Sequence, residues 1–204
     1  MLIIPPMTLW SLNLRHLRAV ATISHLGSIN AAAKAVNLTQ PAITQALGKL
    51  EEQLGLPLFV RRHDGMIPTD ATALIVPRID AALAHVASPR VTMGQMRALI
   101  AFADTGSYAG AAAATGLAQP SLHRAIGDLS LALKRTLLER RGKGLALTEA
   151  GHRTSRAMRL ARAEIAAGLS ELDALKGRES GVITIGAMPL SRAHILPGTV
   201  TAFY

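Results

Sequence analysis

Along the first third of the chain, apolar residues fall into runs of helical spacing separated by polar breaks. Leu14, Leu17, Val20 and Ala21 recur every three or four positions between Leu12 and His25, which predicts an amphipathic helix closed by Leu26-Gly27. Ser28 then offers an N-cap for a short alanine-rich helix through Val36, Asn37-Leu38 supplies a turn, and Thr39 offers a second cap. Pro41 stands in the first turn of the next helix, where its missing N–H costs nothing, and Ile43, Leu47, Leu50 and Leu54 form that helix's buried stripe. Beyond Leu54-Gly55 the text changes to the short, β-prone Leu56-Pro57-Leu58-Phe59-Val60, a hairpin tip at Arg61-Arg62-His63-Asp64-Gly65, and a return strand at Met66-Ile67-Pro68. Helix, short helix, tight turn, helix and basic hairpin is the order of a helix-turn-helix unit carrying a wing.

The pattern occurs twice. Gln119-Pro120 lies 79 positions after Gln40-Pro41, and that offset holds without a gap from Arg18/Arg97 through Gly27/Gly106 and Leu50/Leu129 to Arg61-Arg62/Arg140-Arg141 and Thr69/Thr148. A register kept that long marks a duplicated folding unit. The second copy keeps the scaffold and changes the exposed text: Thr39, Thr44, Gln45 and Lys49 become Ala118, His123, Arg124 and Asp128, Glu51-Glu52 becomes Ser130-Leu131, and Phe59 becomes Leu138. Ala118 cannot cap, a loss of about 1 kcal/mol unless another group substitutes.

Between the copies, residues 70–88 predict a short packing helix and connector interrupted by Pro77, with Thr72 where the second copy has Gly151, and no dimerisation seam. After the second copy a long helix is predicted from Glu149 to Lys176. Its Met158, Ala161, Ile165, Leu169 and Leu172 step by 3, 4, 4 and 3, the narrow seam of a helix that pairs with another or packs on its own unit. Gly177 is its expected stop.

Composition narrows the chemistry. Half of the residues are hydrophobic but only 3% are aromatic, so the cores are expected to be aliphatic helix packing. There is no Cys, which removes disulfides, thiolate metal sites and cysteine nucleophiles and fits a reducing compartment. A formal charge of +9 favours an anionic partner such as nucleic acid or an acidic membrane surface. The start, Met1 to Met7, lacks the pattern of a signal peptide, and nothing approaches the ~18 apolar residues of a membrane span, so a cytoplasmic protein is expected. The seven His are scattered without His-Glu-x-x-His spacing, and Gly142-Lys143-Gly144 lacks the context of a phosphate loop. Neither an enzyme nor a cofactor is therefore expected.

The ordered set Gly27-Ser28, Ala32-Ala33, Thr39-Gln40-Pro41-Ala42, Leu50-Glu51-Glu52-Gln53-Leu54-Gly55 and Leu58-Phe59-Val60-Arg61 resembles the N-terminal winged helix of LysR-type transcriptional regulators. The likeness covers roughly residues 12 to 70 and again 91 to 151, a tandem that departs from the usual single domain. It implies a mainly α protein: an extension (1–11), a first winged helix-turn-helix domain with a connector helix (12–88), a second (89–148) and a linker helix (149–178). A βα remnant of an α/β effector domain (179–204) would follow.

Gly181-Val182-Ile183-Thr184-Ile185-Gly186 is similar to that domain's first strand, but one strand and part of one helix cannot form a buried parallel sheet, so no intact small-molecule effector pocket is expected. Double-stranded DNA is the expected partner. Thr39, Gln40, Pro41, Thr44 and Gln45, with Gln119, Pro120, His123 and Arg124, are the expected base readers, although a phosphate contact or local backbone bond for Gln40 stays open. Ser28, Lys49, Arg61, Arg62, Ser107, Arg140, Arg141 and Lys143 are expected on phosphates. The resemblance also implies a homodimer or higher oligomer through Met158, Ala161, Ile165, Leu169 and Leu172. Two other readings remain: an interaction module that titrates full-length relatives, and a non-specific nucleoid-type coat.

Overall fold

The computed structural model describes residues 9–63, 65–142 and 144–177. Lys143 and the tail from 178 to 204, on which the effector-domain remnant was expected, lie outside the described residues. A 3-10 turn at Leu9–Ser11 leads into α1 (Leu14–Leu26), α2 (Ile29–Ala35) and α3 (Gln40–Leu54), then the hairpin β1 (Phe59–Arg62) and β2 (Gly65–Pro68), and α4 (Asp70–His85). The second copy repeats this as α5 (Met93–Thr105), α6 (Tyr108–Thr115), α7 (Gln119–Leu133), β3 (Leu138–Arg141), β4 (Gly144–Leu147) and α8 (Glu149–Leu175).

Local chemistry accounts for the boundaries. Ser28 and Ser107 cap α2 and α6 by accepting from the backbone N–H of Ala31 and Gly110. Thr39 caps α3 through Ala42 N–H, whereas Ala118 gives α7 no side-chain cap. The turn between α2 and α3 needs a left-handed residue, and the two copies fill it with Asn37 (φ 54°) and Gly116 (φ 70°), the residue types that tolerate that region. After α3 the same conformation falls on Gly55, but after α7 it falls on Lys134 (φ 52°). Lys134→Gly is accordingly expected to stabilise the protein by about 1 kcal/mol, read as a rise in urea midpoint at constant slope.

Each wing is tied to its own unit. The Glu51 carboxylate accepts from the N–H of Leu58 at 2.7 Å and of Phe59 at 3.3 Å, fixing the entry to β1 on α3. In the second copy Ser130 takes that place and donates instead to Ile126 carbonyl at 3.0 Å, so the second wing lacks the anchor. At the far end of each wing a threonine closes the strand: Thr69 donates to Pro57 carbonyl and Thr148 to Thr136 carbonyl, at 2.8 and 2.7 Å.

The largest interface between any two elements joins α4 to α8, one helix from each copy. α4 buries Ala71, Thr72, Ile75, Val76, Ile79 and Ala82; α8 buries the positions 79 after the last five of these, Gly151, Thr154, Ser155, Met158 and Ala161, and continues with Ile165, Gly168 and Leu172. The residues expected to pair with a second chain are engaged within this one: Met158, Ala161, Ile165 and Leu172 are buried by the chain's own elements, α4 foremost, with Leu169 packed beside them. The helix over residues 70–85 is a full seam partner and no mere connector; Pro77 does not interrupt it, because the proline sits on the exposed face while the opposite face is held by burial. Arg78 reinforces the pair, its guanidinium donating to Glu171 at 2.6 Å and to Glu164 at 3.1 Å. The hydrogen bonds to the two carboxylates, Glu171 first and then Glu164, push the Arg78 pKa further up.

Candidate nucleic-acid interface

The first turns of α3 and α7 are bare. Gln40, Pro41, Gln45 and Lys49 are exposed along α3, at i, i+1, i+5 and i+9, and Gln119, Pro120, His123 and Arg124 are exposed along α7, at i, i+1, i+4 and i+5. Gln40 and Gln119 occupy the first helical position in their copies, with the unsatisfied N–H groups of the N-terminus beside them. Such a terminus combines forward-pointing donors with the positive end of the helix dipole, which favours an anion. Thr39 and Ser28 are partly committed as caps, while Thr44 spends its hydroxyl proton on the carbonyl of Gln40 at 3.0 Å, leaving only oxygen lone pairs to face outward.

The wings supply charge. Arg61, Arg62, Arg140 and Arg141 are exposed on strands β1 and β3, with Arg61 opposite Met66 and Arg140 opposite Leu145 across the hairpins. Among the described residues none of the four is in an ion pair, so their guanidinium donors are free for an external anion. On the flank of α3, Lys49 lies close enough to His16 to lower its pKa, behind the larger effect of burial on that imidazole.

The copies differ between the recognition helix and the wing. Tyr108 stacks edge-on to Phe102 (centroids 4.9 Å apart) and holds the His123 ring at 5.3 Å. His123 is thus steered by α6, a contact the first copy cannot make because it carries Ile29 and Thr44 at those places. Ser130, Leu131 and Leu138, which stand where the first copy has Glu51, Glu52 and Phe59, line a cleft of about 550 Å³ between α7 and the β3–β4 wing, with Leu131 76% exposed. Neither the His123–Tyr108 pairing nor the free state of the wing arginines was readable from spacing alone.

No helix of the described residues is long and apolar enough to cross a membrane, and among them no group of His, Asp and Glu is arranged to hold a metal ion. What is assembled is a pair of winged helix-turn-helix units of the kind that lay a helix in a duplex groove. The family model "Bacterial regulatory helix-turn-helix protein, lysR family" matches residues 14–73 and again 93–152, together more than half of the chain. This protein belongs to the LysR family.

Among its relatives is the HTH-type transcriptional regulator GalR of Pseudomonas putida, 28% identical over 204 residues, an alignment that takes in 94% of this chain and 51% of GalR. A probable hydrogen peroxide-inducible genes activator of Streptomyces viridosporus is 36% identical over 106 residues, 52% of this chain and 34% of that protein. A crystal structure of a LysR-family transcriptional regulator from Eggerthella lenta is 33% identical, covering 34% of this chain and 93% of that one at a TM-score of 0.29. The chain spans about half or less of the length of these two curated relatives.

Proposed function

We propose that the chain is a sequence-specific, DNA-binding transcription regulator that lays α3 and α7 in the major groove and sets its two wings on phosphates. The observation that carries this is the duplicated pairing of an exposed glutamine at a helix start with a hairpin of exposed, unpaired arginines. A glutamine amide in that place matches the N6/N7 edge of adenine, a bidentate contact worth about 1–3 kcal/mol of discrimination. The arginines are suited to fix register on the backbone without reading sequence. Closure of the α4–α8 seam within the chain weighs against the reading as a module that titrates relatives.

Two substitutions separate reading from positioning. Gln40→Ala is expected to lower affinity for the preferred duplex about tenfold or more while leaving affinity for scrambled duplex unchanged. Arg141→Ala is expected to weaken all duplexes alike and reduce the slope of log K against log salt by about 1. Fluorescence anisotropy across a salt series measures both. Equal affinity of the wild-type chain for every duplex would instead mark a non-specific coat.

A further inference from the structure

We infer that this single chain is its own dimer: α4 and α8 relate its two copies by an internal two-fold, and one polypeptide reads two unequal half-sites of one duplex. This rests on the DNA-binding reading above. In an isologous interface the same patch is used by both partners, so that if residue i touches j, then j's equivalent is touched by i's equivalent. Two independent features meet that criterion here.

First, the helices in contact are the same element of the duplicated unit, and five buried positions of α4, Thr72, Ile75, Val76, Ile79 and Ala82, recur at the 79-residue offset as buried positions of α8. Second, the flanks are reciprocal. Trp10, before the first copy, carries the guanidinium of Arg97 in the second copy 6.0 Å above its ring. Its counterpart Pro89, before the second copy, lines a cleft with Arg18 of the first, and Arg18 is the counterpart of Arg97. The interface is also closed: a Cβ on Gly168 would stand 2.5 Å from Ile75 Cδ1 and 3.1 Å from Arg78 Cβ, which leaves no room for another helix between them.

A dimer of identical chains presents identical helices and selects a palindrome. Here the presented text differs. The face of α3 carries Gln40, Gln45 and Lys49; that of α7 carries Gln119, Arg124 and Asp128. At the equivalent positions 45 and 124, an amide suits adenine and a guanidinium suits guanine O6/N7. One chain would therefore bind in a fixed orientation, with one half-site favouring adenine where the other favours guanine. The second unit's weaker anchoring is tolerable because the first raises its effective concentration on the same duplex.

The test uses the 204-residue chain and duplexes selected by it from a randomised pool, with complex mass by native mass spectrometry and a hydroxyl-radical footprint on the same duplex. The expected result is one chain of 21.5 kDa per duplex, two protected groove segments and a non-palindromic consensus. Gln45→Arg is expected to make the selected consensus more symmetric, and Arg124→Gln to do so from the other side. Two chains per duplex on a palindrome would overturn the inference and leave DNA reading intact, as would one chain protecting a single groove. Failure to enrich any duplex would overturn the DNA-binding reading, and the inference with it.

Discussion

Ile75→Ala is expected to destabilise the protein by about 3 kcal/mol, and Gly168→Ala is expected to repair part of that loss. Ile75 is 1% exposed and its Cδ1 fills the space over Gly168, so truncation leaves a cavity that a glycine cannot fill. In the wild-type background Gly168→Ala sets an overpacking cost of about 1–3 kcal/mol against a gain of up to about 1 kcal/mol in helix propensity, for a net loss. Once Ile75 is shortened the clash with Cδ1 disappears, and the added methyl occupies the cavity. The double-mutant cycle should therefore show a favourable coupling of at least about 1 kcal/mol by urea unfolding. Strict additivity would mean that α4 and α8 do not meet in solution.

Gly151→Ala should be of similar size, about 3 kcal/mol, for a different reason. A Cβ there would fall inside the radius of the Leu137 backbone carbonyl oxygen and 3.0 Å from Leu147 Cδ2. A backbone carbonyl has no rotamer to yield, and the surroundings are pinned: Gly151 N–H donates to the Thr148 hydroxyl at 2.9 Å, while that hydroxyl donates to Thr136 carbonyl. The first copy meets the same junction with Thr72, whose hydroxyl donates to the carbonyl of Leu58, the counterpart of Leu137. Loosening α8 from the second wing should also lower DNA affinity through Arg140 and Arg141. A variant with wild-type urea midpoint and wild-type binding would refute this account of the junction.

The winged units were legible because each boundary had a local cause written in one or two residues. Thr39 and Pro41 start α3, Gly55 ends it, and Asn37 and Gly116 mark the same turn. The ownership of the seam was not legible. A 3, 4, 4, 3 step says that a helix pairs with another helix, but not which one, and two features disguised α4 as a connector. Pro77 resembles a break although it sits on the outer face, and Thr154 and Ser155 stand in the second copy where Ile75 and Val76 make the first copy's face apolar.

The charge pairing of the two copies was hidden in a similar way. His25 Nε2 lies 3.0 Å from Asp80, and the equivalent positions hold Asp104 and Arg159 at 2.6 Å, the carboxylate having moved to the other helix of the pair. An identity-based reading of the repeat passes over such a pair, because neither residue is kept while the contact is.

Groove reading by α3 and α7 is measured by a footprint titration of the chain on its selected duplex, repeated with Gln40→Ala and Gln119→Ala combined. Discrete protected groove segments that the double variant loses, with residual salt-sensitive binding retained through the wings, are the predicted result. Protection spread evenly over any duplex, and unchanged by the double variant, would contradict it.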